Sequence, residues 1–247
     1  MSPDLINEIK SKGYWRVVIR PSESYYKSDR IALEKLSEIV DNNQIQLRGW
    51  YYPHIDQGDV SVSSQNSIAS GCTGFEGIFE YWEFFTSGQF AHLFSIKEDY
   101  IIDEPKKEQI LKSIFYNRTP PADLDKFFEV VSAIYRFTEI HLFAANLVQL
   151  EQYKDVGEFE ISITIHGVNN RLLFFWDWGR DLSMPYVCKL KDDQISFNAK
   201  YRKEDLIAKC NDIALEKAIT TFKMFNWSNP SPQVIRGDQE RLLQRRF

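Results

Sequence analysis

The chain has 247 residues, 43% of them hydrophobic and 15% aromatic, and a net charge of −5. That length can bury one large core or two small ones, and the acidic balance excludes a whole-chain basic footprint for nucleic acid, leaving only local patches. Three cysteines, Cys72, Cys188 and Cys210, stand far apart without a CxxC pair, which argues against a disulfide framework or a zinc site and for a reducing, cytoplasmic setting.

Asp4, Glu8 and Lys10 interrupt the N-terminus, and no apolar run approaches bilayer length, so neither a signal peptide nor a membrane span is expected. Ser2 to Lys12 reads as a short helix, capped by Ser2 and ended by Gly13. Tyr14 to Arg20 reads as a strand stopped by Pro21. Ile31, Leu33, Leu36, Ile39 and Val40 recur near the helical period, so residues 28–42 read as a helix capped by Ser28 or Asp29. Ile45 to Tyr52 reads as a second strand, ended by Pro53. A strand–helix–strand order would let the two strands lie as parallel neighbours.

Residues 56–77 are polar and glycine-rich and read as a loop with one edge strand near Val60–Val62. Ile78–Phe85 and Phe90–Ile96 read as a hairpin around Thr86-Ser87-Gly88-Gln89, with positive φ at Gly88 and Phe85 close to Phe90. A short helix is expected near Glu108–Phe115. Ala122–Leu150 carries the longest helical signal, apolar almost all round, as in a helix covered on most sides. Phe159–His166 alternates cleanly, and Gly167–Asn170 turns the chain into Arg171–Trp178 as a second hairpin. Tyr186–Lys189 and Ile195–Tyr201 read as strands. Lys203–Phe225 reads as an amphipathic helix broken at Asn229–Pro232. The tail from Arg236 to Phe247 carries Arg236, Arg241, Arg245 and Arg246. It reads either as a frayed terminus or as a short basic helix that docks on a partner or nucleic acid.

The expected class is α+β: mostly antiparallel sheet, a long buried central helix and a second long C-terminal helix. One domain over residues 1–247 is expected, with halves at about 1–102 and 122–247 sharing a core.

Familiar catalytic patterns are missing. His54, His92, His141 and His166 have no partners at ligand spacing, so no metal or cofactor is expected. Gly71–Gly77 lacks the Lys-Ser/Thr of a phosphate loop and precedes a strand, so a turn is expected there. No Gly-x-Ser-x-Gly elbow occurs. Cys72, read as a loop cysteine, would need the fold to bring His54 or His92 to it as a base.

The residues that stand out are Arg16, Arg20, Arg48, Trp50, His54, Glu80, Trp82 and His92, charged and aromatic groups placed within strand-like runs. In one sheet, Arg16, Arg48, Glu80 and His92 could gather beneath Trp50 and Trp82. Such a cluster is either a partly buried ion-pair network or a ligand pocket.

The runs Tyr14–Pro21, Arg48–His54 and Glu80–Phe90, with Thr138-Glu139-Ile140, Phe143-Ala144-Ala145 and Phe225-Asn226-Trp227, resemble an uncharacterised prokaryotic protein family. Some members carry or neighbour DNA-binding domains of the Schlafen-like AlbA type, and no such domain is visible in this sequence. The resemblance implies a regulatory or defence-associated module and transfers no catalytic residue. The expected function is therefore non-catalytic recognition, with a protein partner or self-association. One alternative is an enzyme acting on nucleic acid or a nucleotide, with Arg16, Arg20 and Arg48 clamping phosphate and Glu80 or His92 as acid–base group. Another is a structural subunit that buries its aromatic strands in an oligomer.

Overall fold

The computed structural model describes residues 3–22, 29–55, 60–75, 77–116, 118–177 and 179–246. Helix α1 spans Pro3–Lys10, and strand β1 follows at Tyr14–Pro21. Strand alternation puts Trp15, Val17 and Ile19 on one face of β1 and Arg16 and Arg20 on the other. After a short helix α2 (Leu36–Asn43) come β2 (Ser61–Ser64), β3 (Ser67–Phe75), β4 (Ile78–Phe85) and β5 (Phe90–Ser95). Helices α3 (Glu98–Ile101) and α4 (Glu104–Phe115) lead to β6 (Lys126–Glu129) and the long α5 (Val130–Leu147). The remainder is β7 (Glu158–His166), β8 (Arg171–Phe174), β9 (Gln194–Arg202), α6 (Lys203–Met224) and α7 (Pro232–Leu243).

The main sheet has seven strands in the order β2-β3-β4-β5-β1-β7-β9, every neighbour antiparallel. β1 is the seam, with the N-terminal strands on one side and the C-terminal strands on the other. One apolar core runs from Trp15 to Leu242 and draws on both halves. The fold is α+β.

α5 lies across the inner face of the sheet. Phe137 meets the Trp15 ring edge-on at 5.0 Å, and Phe143 meets Phe90 at 4.8 Å. Its other side packs on α6 and α7. Ile134, Tyr135 and Phe222 are buried there and Ile213 is partly buried, so α5 is sandwiched as its all-round apolar surface predicts. Gln239 ties the helices together, donating to the Thr138 hydroxyl at 3.1 Å and to the Asn211 carbonyl at 2.8 Å. α1 packs on the opposite face, against β4 and β5.

The β4–β5 hairpin forms as expected, and Gly88 has φ +86°. Its register pairs Phe84 with Phe90, one residue from the expected Phe85. α1, α4, β7, β9 and α6 lie close to their sequence-predicted places.

Several expectations fail. Ile45–Tyr52 is not a strand beside β1: it is a loop closed by a single antiparallel bridge, Ile45 to Tyr52. Both edges of β1 are taken by β5 and β7. The helix expected from Ser28 starts at Leu36 after a 3-10 turn, without a side-chain cap. Asp29 instead accepts from the Thr86 hydroxyl at 2.6 Å; Ser28 and Ser2 lie outside the described residues. The glycine-rich stretch is largely β3, with a register shift between Cys72 and Phe75. Cys72 is thus a buried strand residue, not a loop thiol.

The long helix begins at Val130, because Phe127 and Phe128 belong to β6. Glu129 caps it, accepting from the Ser132 backbone N–H at 2.5 Å. β8 does not pair with β7; it leaves the main sheet and runs parallel to β6. Buried Arg171 anchors that departure, donating to Asp99, the Gly167 carbonyl and the Phe127 carbonyl. Tyr186–Lys189 contributes only one bridge, Leu172 to Val187. No helix among the described residues is long and apolar enough to cross a membrane.

Candidate functional site

Glu80 on β4 and His92 on β5 face inward beneath α5, each about 1% exposed. The Trp82 ring lies beside them in cross-strand register with His92. A carboxylate in so apolar a place must be satisfied by donors. The loop after Ile45 supplies them. The His54 backbone N–H donates to Glu80 Oε1 at 2.7 Å, and the Trp50 indole N–H reaches Oε2 at 3.4 Å. Trp82 returns the contact, its indole N–H donating to the His54 carbonyl at 2.8 Å. The Trp50 and His54 rings stack at 3.8 Å.

A second buried carboxylate holds the other end of the loop. Glu139 on α5 accepts from Arg48 through a fork, Nε to Oε1 at 2.6 Å and Nη2 to Oε2 at 2.7 Å. Arg136, one turn earlier on α5, adds a bond to Oε2 at 3.3 Å and lies over the Phe94 ring. The loop from Gln46 to Ile55, which includes a cis Tyr52–Pro53 bond, is therefore clamped at Arg48 and at His54. Between the clamps, Tyr51 is 41% exposed and Trp50 half-buried.

Burial pushes the Glu80 carboxyl above its ordinary range, although the Arg136 charge and the bonds from His54 and Trp50 oppose the rise. Burial and the Arg136 charge hold His92 well below the ordinary imidazole range, so its ring is neutral. Its nearer nitrogen is 3.9 Å from Glu80 Oε2, too far for a hydrogen bond, and neither ring nitrogen has a partner. The Tyr52 hydroxyl, whose ring lies 5.1 Å from His92, is likewise unpartnered. Burial would lower the Arg48 guanidinium, but the Glu139 charge and bonds outweigh it and leave it raised.

The chain matches no family model, no curated protein and no solved structure.

Of the sequence-predicted residues, Arg48, Trp50, His54, Glu80, Trp82 and His92 do come together. Arg16 and Arg20 do not, because strand alternation sends them through the sheet to the outer face. Arg20 pairs there with Glu160 at 3.0 Å, and Arg16 points to solvent. The phosphate clamp that needed Arg16, Arg20 and Arg48 together is not assembled. Sequence reading missed Glu139, Arg136 and Tyr52. The available signal was Arg136 and Glu139 themselves, the only Arg and Glu in a largely apolar α5 and three residues apart.

The space beside this cluster is small. A cavity of about 60 Å³ lies between Trp50, Arg48, Arg136, Glu98 and Glu129. Sites for drug-sized ligands run to about 300–1,000 Å³, so the cavity is too small for a metabolite. Among the described residues no group of His, Cys, Asp and Glu is arranged to hold a metal ion. The cluster's chemistry is that of an anchor: buried carboxylates fixing the conformation of a surface loop.

Proposed function

We propose that this chain is a non-catalytic recognition module of a prokaryotic regulatory or defence system, and that the Gln46–Ile55 loop is its contact with a protein partner. The observation that carries the reading is where Glu80 and Glu139 spend their oxygens. Both carboxylates are buried, and both bind the loop. A loop held at both ends loses little conformational entropy on binding, which favours affinity. The residues it offers, Trp50 and Tyr51 beside Arg48, are of the types that dominate protein–protein hot spots. The reading is also supported by the cavity beneath the loop, about 60 Å³, which is too small to make the buried cluster itself a ligand pocket.

The test is comparative affinity purification from a prokaryotic host, using the chain and a Tyr51→Ala variant at the exposed tip of the loop. A protein recovered with the first and lost with the second, at equal melting temperature, is the expected outcome. Identical recovery from both would remove the loop from the interface.

A further inference from the structure

The outer face of the sheet carries a second candidate surface that owes nothing to the anchored loop. An open groove of about 460 Å³ runs over β4, β5, β1, β7 and β9, with Lys10 at the end of α1 on its rim. Tyr14 on β1 and His166 on β7 sit opposite one another in it and stack, ring centres 4.4 Å apart and planes inclined by 16°. Two strand positions on, Arg16 is exposed, and no hydrogen bond or ion pair holds it among the described residues. Lys10 is exposed and equally free. Tyr81 lines the opposite side.

The carboxylate in the groove is already engaged. Glu83 accepts from the Ser67 hydroxyl at 2.7 Å and from the Tyr81 hydroxyl at 3.3 Å. Burial and the Arg16 charge hold His166 below its ordinary range, so its ring offers a neutral stacking surface. An adjoining cleft of about 560 Å³ shares Lys10, Tyr14 and His166 but mixes Lys12 and Lys126 with Asp125, Asp192 and Asp193. Phosphates therefore belong on the Arg16 side.

We infer that this sheet face binds a short single-stranded nucleic acid, a base lying against the Tyr14–His166 pair and the neighbouring phosphates against Arg16 and Lys10. Stacked rings tolerate any base, and unpaired cations track the backbone; those are the elements of sequence-tolerant single-strand binding. A duplex hides its base faces, so the geometry selects the open strand. With a net charge of −5, the attraction rests on a local cationic patch rather than on the chain as a whole.

The test is fluorescence anisotropy with labelled homopolymeric RNA and DNA single strands and a duplex of equal length. Single strands are expected to bind in preference to duplex, and affinity to fall as salt is added, by about 0.7 in log–log slope per phosphate contact. Loss of the stack in Tyr14→Ala is expected to weaken binding by about fivefold or more, and Tyr14→Phe to preserve it. Arg16→Glu, at an exposed side chain held by no hydrogen bond or ion pair among the described residues, is expected to weaken binding without changing the melt, so the result stands even if Tyr14→Ala fails to fold. The RNA and DNA arms decide which strand is preferred. No binding to any single strand, equal binding to duplex, or binding lost in Arg245→Ala/Arg246→Ala but retained in Arg16→Glu would overturn the inference.

Discussion

Arg48 and Glu139, 91 residues apart in the chain, meet through two near-parallel bonds of 2.6 and 2.7 Å, and the Glu139 side chain is wholly buried. The pair is not symmetric, because Arg136 also leans on Glu139. Glu139→Ala strands two guanidiniums and is expected to cost about 3–5 kcal/mol. Arg48→Ala leaves the carboxylate with Arg136 and is expected to cost about 1.5–3 kcal/mol. Urea denaturation of the two variants checks the order; a larger loss for Arg48→Ala would mean that Arg136 does not compensate.

The Glu98 carboxyl is pushed up to about 7 by burial, and one of its oxygens has no partner. The folded state therefore holds this proton where the unfolded state, near the ordinary 4.5, has lost it. Glu98 contributes stability below the unfolded value and loses it as pH rises through about 7, a swing of about 3 kcal/mol. The His141 ring opposes this at the acid end. Burial holds it down to about 4, so stability falls as pH drops from 6.5 towards that value. Urea midpoints measured from mildly acidic to neutral pH should show the alkaline decline, and Glu98→Gln should flatten it. An unaltered slope in that variant would assign the decline elsewhere.

Gly88 turns the β4–β5 hairpin in the left-handed region, and a Cβ there would sit 2.6 Å from the Tyr153 hydroxyl. That hydroxyl donates to the Gly88 carbonyl at 2.8 Å. Gly88→Ala combines backbone strain with a clash and is expected to cost about 1–3 kcal/mol. Thermal melts of Gly88→Ala with and without Tyr153→Phe separate the contributions: the second change should recover the part due to the hydroxyl.

Ile134 is fully buried on α5. Its truncation to alanine should cost about 2–5 kcal/mol through lost burial and a cavity. An unchanged melting temperature would place that side of α5 at a surface.

Elements with strong periodicity were legible in the sequence: β1, the β4–β5 hairpin, β7, β9 and α6 each carry their pattern within a dozen or so residues. The misread segments share a different cause, in that their conformation is set by distant partners. Ile45–Tyr52 has strand composition, yet Glu139 takes its Arg48 guanidinium, and Glu80 takes the Trp50 indole N–H and the His54 backbone N–H just beyond it, so the segment is held as a loop. Phe127 and Phe128 have helix-compatible spacing, yet β8 takes their backbone, and β8 itself is drawn away from β7 by Arg171. The candidate site was half legible for the same reason. Its strand residues could be assigned to faces, but Glu139 and Arg136 sit on a helix whose arrival over Glu80 no local pattern announces. Arg16 could have been excluded from the cluster by alternation alone, since it lies one residue from inward-facing Trp15 and Val17.

The place of β1 in the sheet has a consequence for how the chain is made. Arg20 on β1 meets Glu160 across a separation of 140 residues, and the register runs on to His166. A ribosome releases β1 early, but one of its edges stays open until β7 has emerged. Such long-range pairing slows folding and exposes a strand edge meanwhile. A nascent chain stalled after β5 would thus display an unpaired backbone edge of β1 next to the apolar face of Trp15, Val17 and Ile19, the natural docking point for a chaperone. A separately supplied fragment carrying β7 and β9 would be expected to complement it.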